Sequence, residues 1–319
     1  MEKGIKIYKE VELRDPYMIA AWPGMGHVAL RAATYLKEKL GAVEFGEIEP
    51  STFFSPSEVS IRNNLVQMPK FPRSKFYYWK SDTSSNDLII FTGEAQPPLE
   101  KEYELATKVL DVAQKYGARR IYTFAAAPVP SHHTRMPGVW GVATSQELIE
   151  NLKEYDVVLM SDGHITGMNG LLLGVAKERN FEGVCLLGEI PYYTTQIENP
   201  KSSRVILEVL AKMLGIKIDM SGLQSNAKRI EEELDRILGY LKPQQQPITT
   251  DDFEKMKKDI RTLSGIPDSA KDKIEKLFKE TKRDLSKANE LKEELDRWSL
   301  YKQYEDRFLD LFRKRKEKS

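Results

Sequence analysis

Four short glycine-bearing segments hold most of the residues whose types and spacing could do chemistry. They are Pro23-Gly24-Met25-Gly26-His27, Thr92-Gly93-Glu94-Ala95-Gln96-Pro97, Ser161-Asp162-Gly163-His164-Ile165-Thr166-Gly167 and Gly188-Glu189-Ile190-Pro191. If they converge, Glu94, Gln96, His164, Thr166 and Glu189 supply polar groups, and Gly24, Gly26 and Gly167 let backbone approach a ligand closely. Glu94 and Glu189 would form a general acid/base pair if their segments met, because neighbouring carboxylates push their pKa values apart. The preferred alternative is that each accepts amide hydrogen bonds from its own turn. His164 reads as a base or anion ligand, and equally as a histidine bound to loop backbone. Gly24-Met25-Gly26-His27-Val28-Ala29 fits the dinucleotide pattern G-x-G-x-x-A, with Glu44 or Glu47 near the distance of a ribose contact. Two glycines also make a tight turn that lets a helix pack on a sheet. Because Pro23 removes one amide from that turn, the turn reading is preferred and no cofactor is expected. His132-His133 lies among Pro128, Pro130 and Pro137 with no carboxylate or cysteine at ligand spacing, so no metal is expected. Neither G-x-S-x-G nor G-x-x-x-x-G-K-[ST] occurs, which removes the usual signatures of serine-hydrolase and P-loop chemistry.

The hydrophobic pattern supplies the elements that must position these segments. Residues 17–22 form an almost wholly apolar strand, and 28–40 a helix stopped by Gly41. Residues 42–48 return as a strand, and 58–80 alternate as antiparallel strands turning at Arg62-Asn63-Asn64. Strands follow at 88–91, 120–126, 157–160 and 184–187. Helices follow at 99–116, 146–152, 170–178 and 203–214. Apolar runs of this length spaced by amphipathic helices imply a mostly parallel, mixed sheet covered on both faces, a three-layer α/β sandwich. In such sheets ligands bind beyond the carboxyl ends of the strands, where the four segments are expected.

Charge and composition bound the rest. Forty-nine Lys/Arg against 48 Asp/Glu leave +1, which gives no field for nucleic acid or anionic lipid. No apolar run approaches the roughly 20 residues of a membrane helix, and the start Met1-Glu2-Lys3-Gly4 does not read as a signal peptide. Cys185 is the only cysteine, so neither a disulfide framework nor a cysteine zinc site is expected. The expectation is a soluble cytoplasmic protein. From 226 onward 45 of 94 residues are charged, against 52 of the first 225, which predicts an α/β domain over 1–225 and an all-α extension over 226–319.

That extension reads as a partner-binding device. Phe253, Met256, Ile260 and Leu263 make the stripe of a short helix. Burying four anchors gives about 6–12 kcal/mol, and ordering about 11 residues costs roughly 1–2 kcal/mol each. The helix therefore needs a surface to dock on. A single long helix is predicted from Ile274 to Leu311, with a near-heptad seam that includes Leu295, Trp298 and Tyr301. A hairpin folded on the body and a coiled coil between subunits both remain open, and a homo-oligomer is expected. The basic stretch from Arg313 to Lys318 reads as a solvated helix end.

Several blocks resemble the proteasome assembly chaperone family, named for the second subunit of the eukaryotic chaperone. They are Ala20-Ala21-Trp22-Pro23-Gly24-Met25-Gly26, Gly93-Glu94-Ala95-Gln96-Pro97, Trp140-Gly141-Val142-Ala143-Thr144, Ile165-Thr166-Gly167-Met168-Asn169-Gly170, Gly183-Val184-Cys185-Leu186-Leu187-Gly188-Glu189 and the stretch 210–219. They occur in the family's order and cover about 17–223. The resemblance implies a phosphorylase/hydrolase-like three-layer fold and a non-enzymatic role. The partners it implies are proteasome α-subunits or another ring-forming assembly. Proteasome-binding members can end in a hydrophobic-tyrosine-any motif; Arg313-Lys314-Arg315-Lys316-Glu317-Lys318-Ser319 lacks it, so docking through this end is not expected. The competing function is a nucleotide- or nucleoside-type small-molecule enzyme that uses the glycine-rich loops.

Overall fold

Strand β2 (Tyr17–Ala21) shows in miniature how the sequence makes layers. Its side chains alternate between faces: Ile19 and Ala21 enter one core, and Met18 and Ala20 enter another together with Trp22. The next parallel strand, β7 (Leu88–Gly93), does the same with Leu88 and Ile90 against Ile89 and Phe91. Apart from half-buried Tyr17, both strands are buried throughout, so two helical layers must cover them. Helices α1 (Val28–Leu40), α3 (Gln146–Leu152) and α5 (Pro200–Leu214) cover one face; α2 (Leu99–Lys115) and α4 (Met168–Glu178) cover the other. The computed structural model describes residues 4–55, 59–62, 64–68, 70–82, 86–241, 268–297 and 301–313.

The remaining strands are β1 (Ile5–Ile7), β3 (Val43–Ile48), β4 (Ser60–Arg62), β5 (Leu65–Gln67), β6 (Ser74–Trp79), β8 (Arg120–Val129), β9 (Val139–Ala143), β10 (Val158–Leu159) and β11 (Glu182–Pro191). Nine strands form one mixed sheet in the order β1-β3-β6-β7-β2-β8-β11-β9-β10, and β4-β5 forms a separate hairpin. The centre, β7-β2-β8-β11, is parallel, and antiparallel strands flank it. This is the expected three-layer α/β sandwich. β8 and β11 stay in register over ten residues, from Arg120↔Glu182 to Val129↔Pro191, whereas β2 accompanies β8 only to Ala20↔Thr123. The long pair therefore outruns its neighbour and leaves a step at the carboxyl rim.

Compact packing divides the chain into Met1–Lys242 and Pro243–Ser319, not at 225/226. The reason is α6 (Ser221–Leu241), whose Leu223, Ala227, Ile230, Leu234 and Ile237 are buried and which packs along α5. The stripe of Ile230, Leu234 and Ile237 is readable in the sequence as one face of a helix, but average charge density places the boundary before it.

The second unit corrects the long-helix expectation. Three helices, α7 (Asp268–Arg283), α8 (Ala288–Arg297) and α9 (Tyr301–Arg313), fold on one another, with a 3-10 turn at Leu285–Lys287 after the first. Ile274, Leu277, Phe278, Ala288, Leu291, Leu295 and Phe308 form a small core with Tyr301 and Tyr304 against it. Arg307 pairs with Glu275 through both carboxylate oxygens at 2.6 and 2.7 Å. Leu295 of the heptad-like seam is thus buried in this unit's own core, with Tyr301 packed against it. Phe253, Met256, Ile260, Leu263 and Trp298 lie outside the described residues.

Candidate functional site at the carboxyl rim

The step left by β2 is a cleft of about 240 Å³, with Ala125, Ala126 and Leu187 of the long strands as its floor. Small side chains on β8 keep this floor open. Gly24, Gln96, His164, Thr166 and Gly167 line it, so five of the eight residues expected to converge do so. His164 is the only titratable side chain among the lining residues.

Two carboxamides hold the walls. Gln96 Nε2 donates to Pro23 O at 2.6 Å, and its Oε1 accepts from the Met168 amide at 3.0 Å. This joins the loop after β7, the loop after β2 and the start of α4. Asn169, buried, accepts from the Trp22 amide at 2.9 Å and donates to Trp22 O at 3.2 Å. Sequence reasoning did not single out Asn169. Its signal was a lone carboxamide inside the apolar run 168–173, where only a partnered amide is tolerated. Gly167 takes φ +74°, and a Cβ there would come within 2.6 Å of Gln96 Oε1.

The other three expected residues lie elsewhere. Gly26, at φ +60°, donates its amide to Thr195 O at 2.7 Å and accepts from the Asn199 amide at 2.9 Å. Its backbone binds the segment after β11, and the His27 amide is taken by Gly24 O at 3.0 Å. These are amides a dinucleotide would need. The acid of the dinucleotide pattern is also misplaced: Glu44 pairs with Lys75 at 2.6 Å on β3, which β6 and β7 separate from β2. In the pattern those two strands are neighbours. The turn reading accounts for these glycines.

Glu94 and Glu189 do not form a pair. Glu94 is exposed just beyond β7 and accepts from the Arg73 amide at 3.0 Å. Glu189 sits within β11, three strand spacings or roughly 14 Å away, and accepts from the Gly138 amide at 2.9 Å and Trp140 Nε1 at 3.0 Å. Burial opposes ionisation of Glu189, but those two bonds and nearby Arg135 outweigh it and hold the carboxyl below the usual glutamate range. Each acid accepts amides, as preferred, though from a neighbouring segment and not its own turn. The segment 161–167 also reaches the rim by a different route. β10 runs parallel to β9 and against the central strands, so this segment arrives as the lead-in to α4.

A second polar cluster was not foreseen. The loop between β8 and β9 carries His132 and His133 to α6, where His133 Nε2 lies 3.0 Å from Asp235 Oδ1. Lys201 pairs with Glu231 of α6 and donates to His133 O at 3.0 Å. Burial, then His132 and Lys201, hold the His133 pKa down against the opposite pull of Asp235.

The rim also carries the most exposed apolar surface. β3, β6 and β7 alternate in direction, so the segment after β3 leaves from the same edge as the cleft loops. It forms the β4-β5 hairpin, in which Ile61 faces Val66 at 73% and 68% exposure and Val59 and Met68 extend the same row.

No helix among the described residues is long and apolar enough to cross a membrane. The chain is 30% identical over 233 residues to an uncharacterized Methanocaldococcus jannaschii protein, MJ1210, covering 72% of this chain and 86% of the relative. The crystal structure of Pyrococcus furiosus PbaB, an archaeal proteasome activator, matches with TM-score 0.63 and 35% identity over 73% of this chain and 97% of that one. P. furiosus PbaA, an archaeal homolog of proteasome-assembly chaperone, matches with TM-score 0.57 and 27% identity over 73% and 96%. The model of the PAC2 family matches residues 18–238, which takes in the sheet from β2 onward, both helical layers, the carboxamide-held cleft and nearly all of α6: the chain belongs to the PAC2 family.

Proposed function

We propose that this protein is a non-enzymatic, cytoplasmic assembly factor that binds proteasome α-subunits through its carboxyl rim and works as a homo-oligomer. The observation that carries the reading is the β4-β5 hairpin. Two strands alone are marginally stable in water, and a row of four apolar side chains held off the main sheet is a surface that calls for a partner. Exposed Met25, Leu99, Met136 and Tyr192 continue the apolar character along the loops of the same rim. Similarity to a proteasome activator and to a homolog of an assembly chaperone supports this choice of partner class.

The test is binding of purified α-subunits from the source organism, read by native mass spectrometry and light scattering. The paired change Ile61→Lys with Val66→Lys should leave the thermal midpoint unchanged, because both side chains are exposed, and should weaken α-subunit binding at least tenfold. Wild-type binding by the variant would remove the hairpin from the interface, and absence of binding by the wild type would remove the partner.

A second reading has the rim cleft in its favour: Gln96, His164 and Thr166 line a concavity at the carboxyl ends of parallel strands. On that reading a nucleotide or nucleoside raises the melting temperature, and a flat response across such a panel rejects it.

A further inference from the structure

The β8–β9 loop and the middle of α6 bring two adjacent histidines together with a carboxylate 102 residues away. One ring nitrogen each of His132 and His133 and one carboxylate oxygen of Asp235 lie within 4.8 Å of one another. The imidazoles stack with centroids 4.2 Å apart, and His133 Nε2 is 3.0 Å from Asp235 Oδ1. Each histidine also has a hydroxyl on its Nδ1: Tyr193 Oη at 3.0 Å on His133 and Thr134 Oγ1 at 2.8 Å on His132. Tyr193 Oη is itself fixed by accepting the His133 backbone N–H at 2.9 Å. Polar partners of this kind set the tautomer and ring plane of metal-bound imidazoles. The His133 side chain is 3% exposed, so packing fixes its aim, while Asp235 at 60% leaves an entrance for an ion.

The donor chemistry selects the ion. Two imidazole nitrogens and one carboxylate suit zinc and its neighbours, whereas calcium and magnesium want oxygen ligands throughout. Lys201 lies close by, donating to the His133 and Thr134 carbonyls, and its pairing with Glu231 offsets its charge.

We propose that His132, His133 and Asp235 form a three-ligand site for a divalent transition-metal ion of the zinc class, and that the bound ion fastens the β8–β9 loop to α6. The fourth position faces solvent, open to water or to a side chain of a partner.

The full chain, stripped with chelator, is titrated with Zn²⁺ by calorimetry and with Co²⁺ by visible absorption. One equivalent of Zn²⁺ per chain and the intense bands of four-coordinate Co²⁺ are expected. His132→Ala and Asp235→Asn should each weaken Zn²⁺ binding at least tenfold, and Tyr193→Phe, which touches no ion, about tenfold. His132 is exposed, so His132→Ala should keep the wild-type circular dichroism, which separates loss of the site from loss of the fold. No stoichiometric uptake overturns the proposal. So does unchanged affinity in both ligand variants, which would place the ion elsewhere, for example at His27 or His164.

Discussion

At the residue scale, the cleft depends on groups that are already spoken for. The carboxamide of Asn169 completes the hydrogen bonding of Trp22 just where β2 ends and its ladder stops. Asn169→Ala strands a buried N–H and a buried C=O, each costing about 1–3 kcal/mol, so a loss of about 2–6 kcal/mol is expected in urea unfolding. A wild-type midpoint would show that water takes over the role. Glu189 gives a prediction with a sign. Its folded pKa is depressed, so its contribution is full above the unfolded value of about 4.3 and fades as pH falls through the folded one. The stability gap between wild type and Glu189→Gln should therefore narrow from pH 6 to below about pH 4, and a constant gap would contradict the charge argument. Gly24, Gln96, His164, Thr166 and Gly167 were legible because glycines and isolated polar residues stood between apolar runs. That Glu94 and Glu189 stand apart was the preferred reading; which segments supply their amides was not legible, because that depends on strand order, which periodicity does not carry. His133 meeting Asp235 was invisible for a similar reason: 102 residues separate them, and only the docking of α6 unites them.

At the element scale, α6 decides where the body ends. Ile230, Leu234 and Ile237 are each buried, and at about 1.5–3 kcal/mol per side chain they contribute roughly 5–9 kcal/mol. That is comparable with the whole stability of an ordinary domain. A chain cut after residue 225 should therefore aggregate or unfold at room temperature, while one cut after residue 242 should melt cooperatively. Two equally stable fragments in calorimetry would restore the boundary that charge density suggested. Helix ends were readable where glycine closes them, as at Gly41 and Gly215, both in the left-handed conformation. Strands β1 and β9 were not read. The first has only three residues, and in the second Gly141 interrupts the apolar run at its centre. The seam after Ile274 had the correct spacing, and Ile274, Phe278, Ala288, Leu291, Leu295 and Phe308 are buried as that spacing implies. Spacing alone did not say whether the covering surface belonged to another molecule or to the same chain turned back.

For the whole molecule, the layered architecture followed from sequence because short apolar strands alternating with amphipathic helices leave few other solutions. The order of strands did not follow, and it has a consequence for how the protein is made. β2 is complete at residue 21, yet it sits between β7 and β8, with β11 one strand further on. Its second parallel neighbour is finished only at residue 129. At about 5–20 residues per second a ribosome needs roughly 5–20 s to cover that stretch. For that interval a fully apolar nascent segment waits without its flanking ladders. The chain is thus exposed, early in translation, to the hazards of an unfinished sheet.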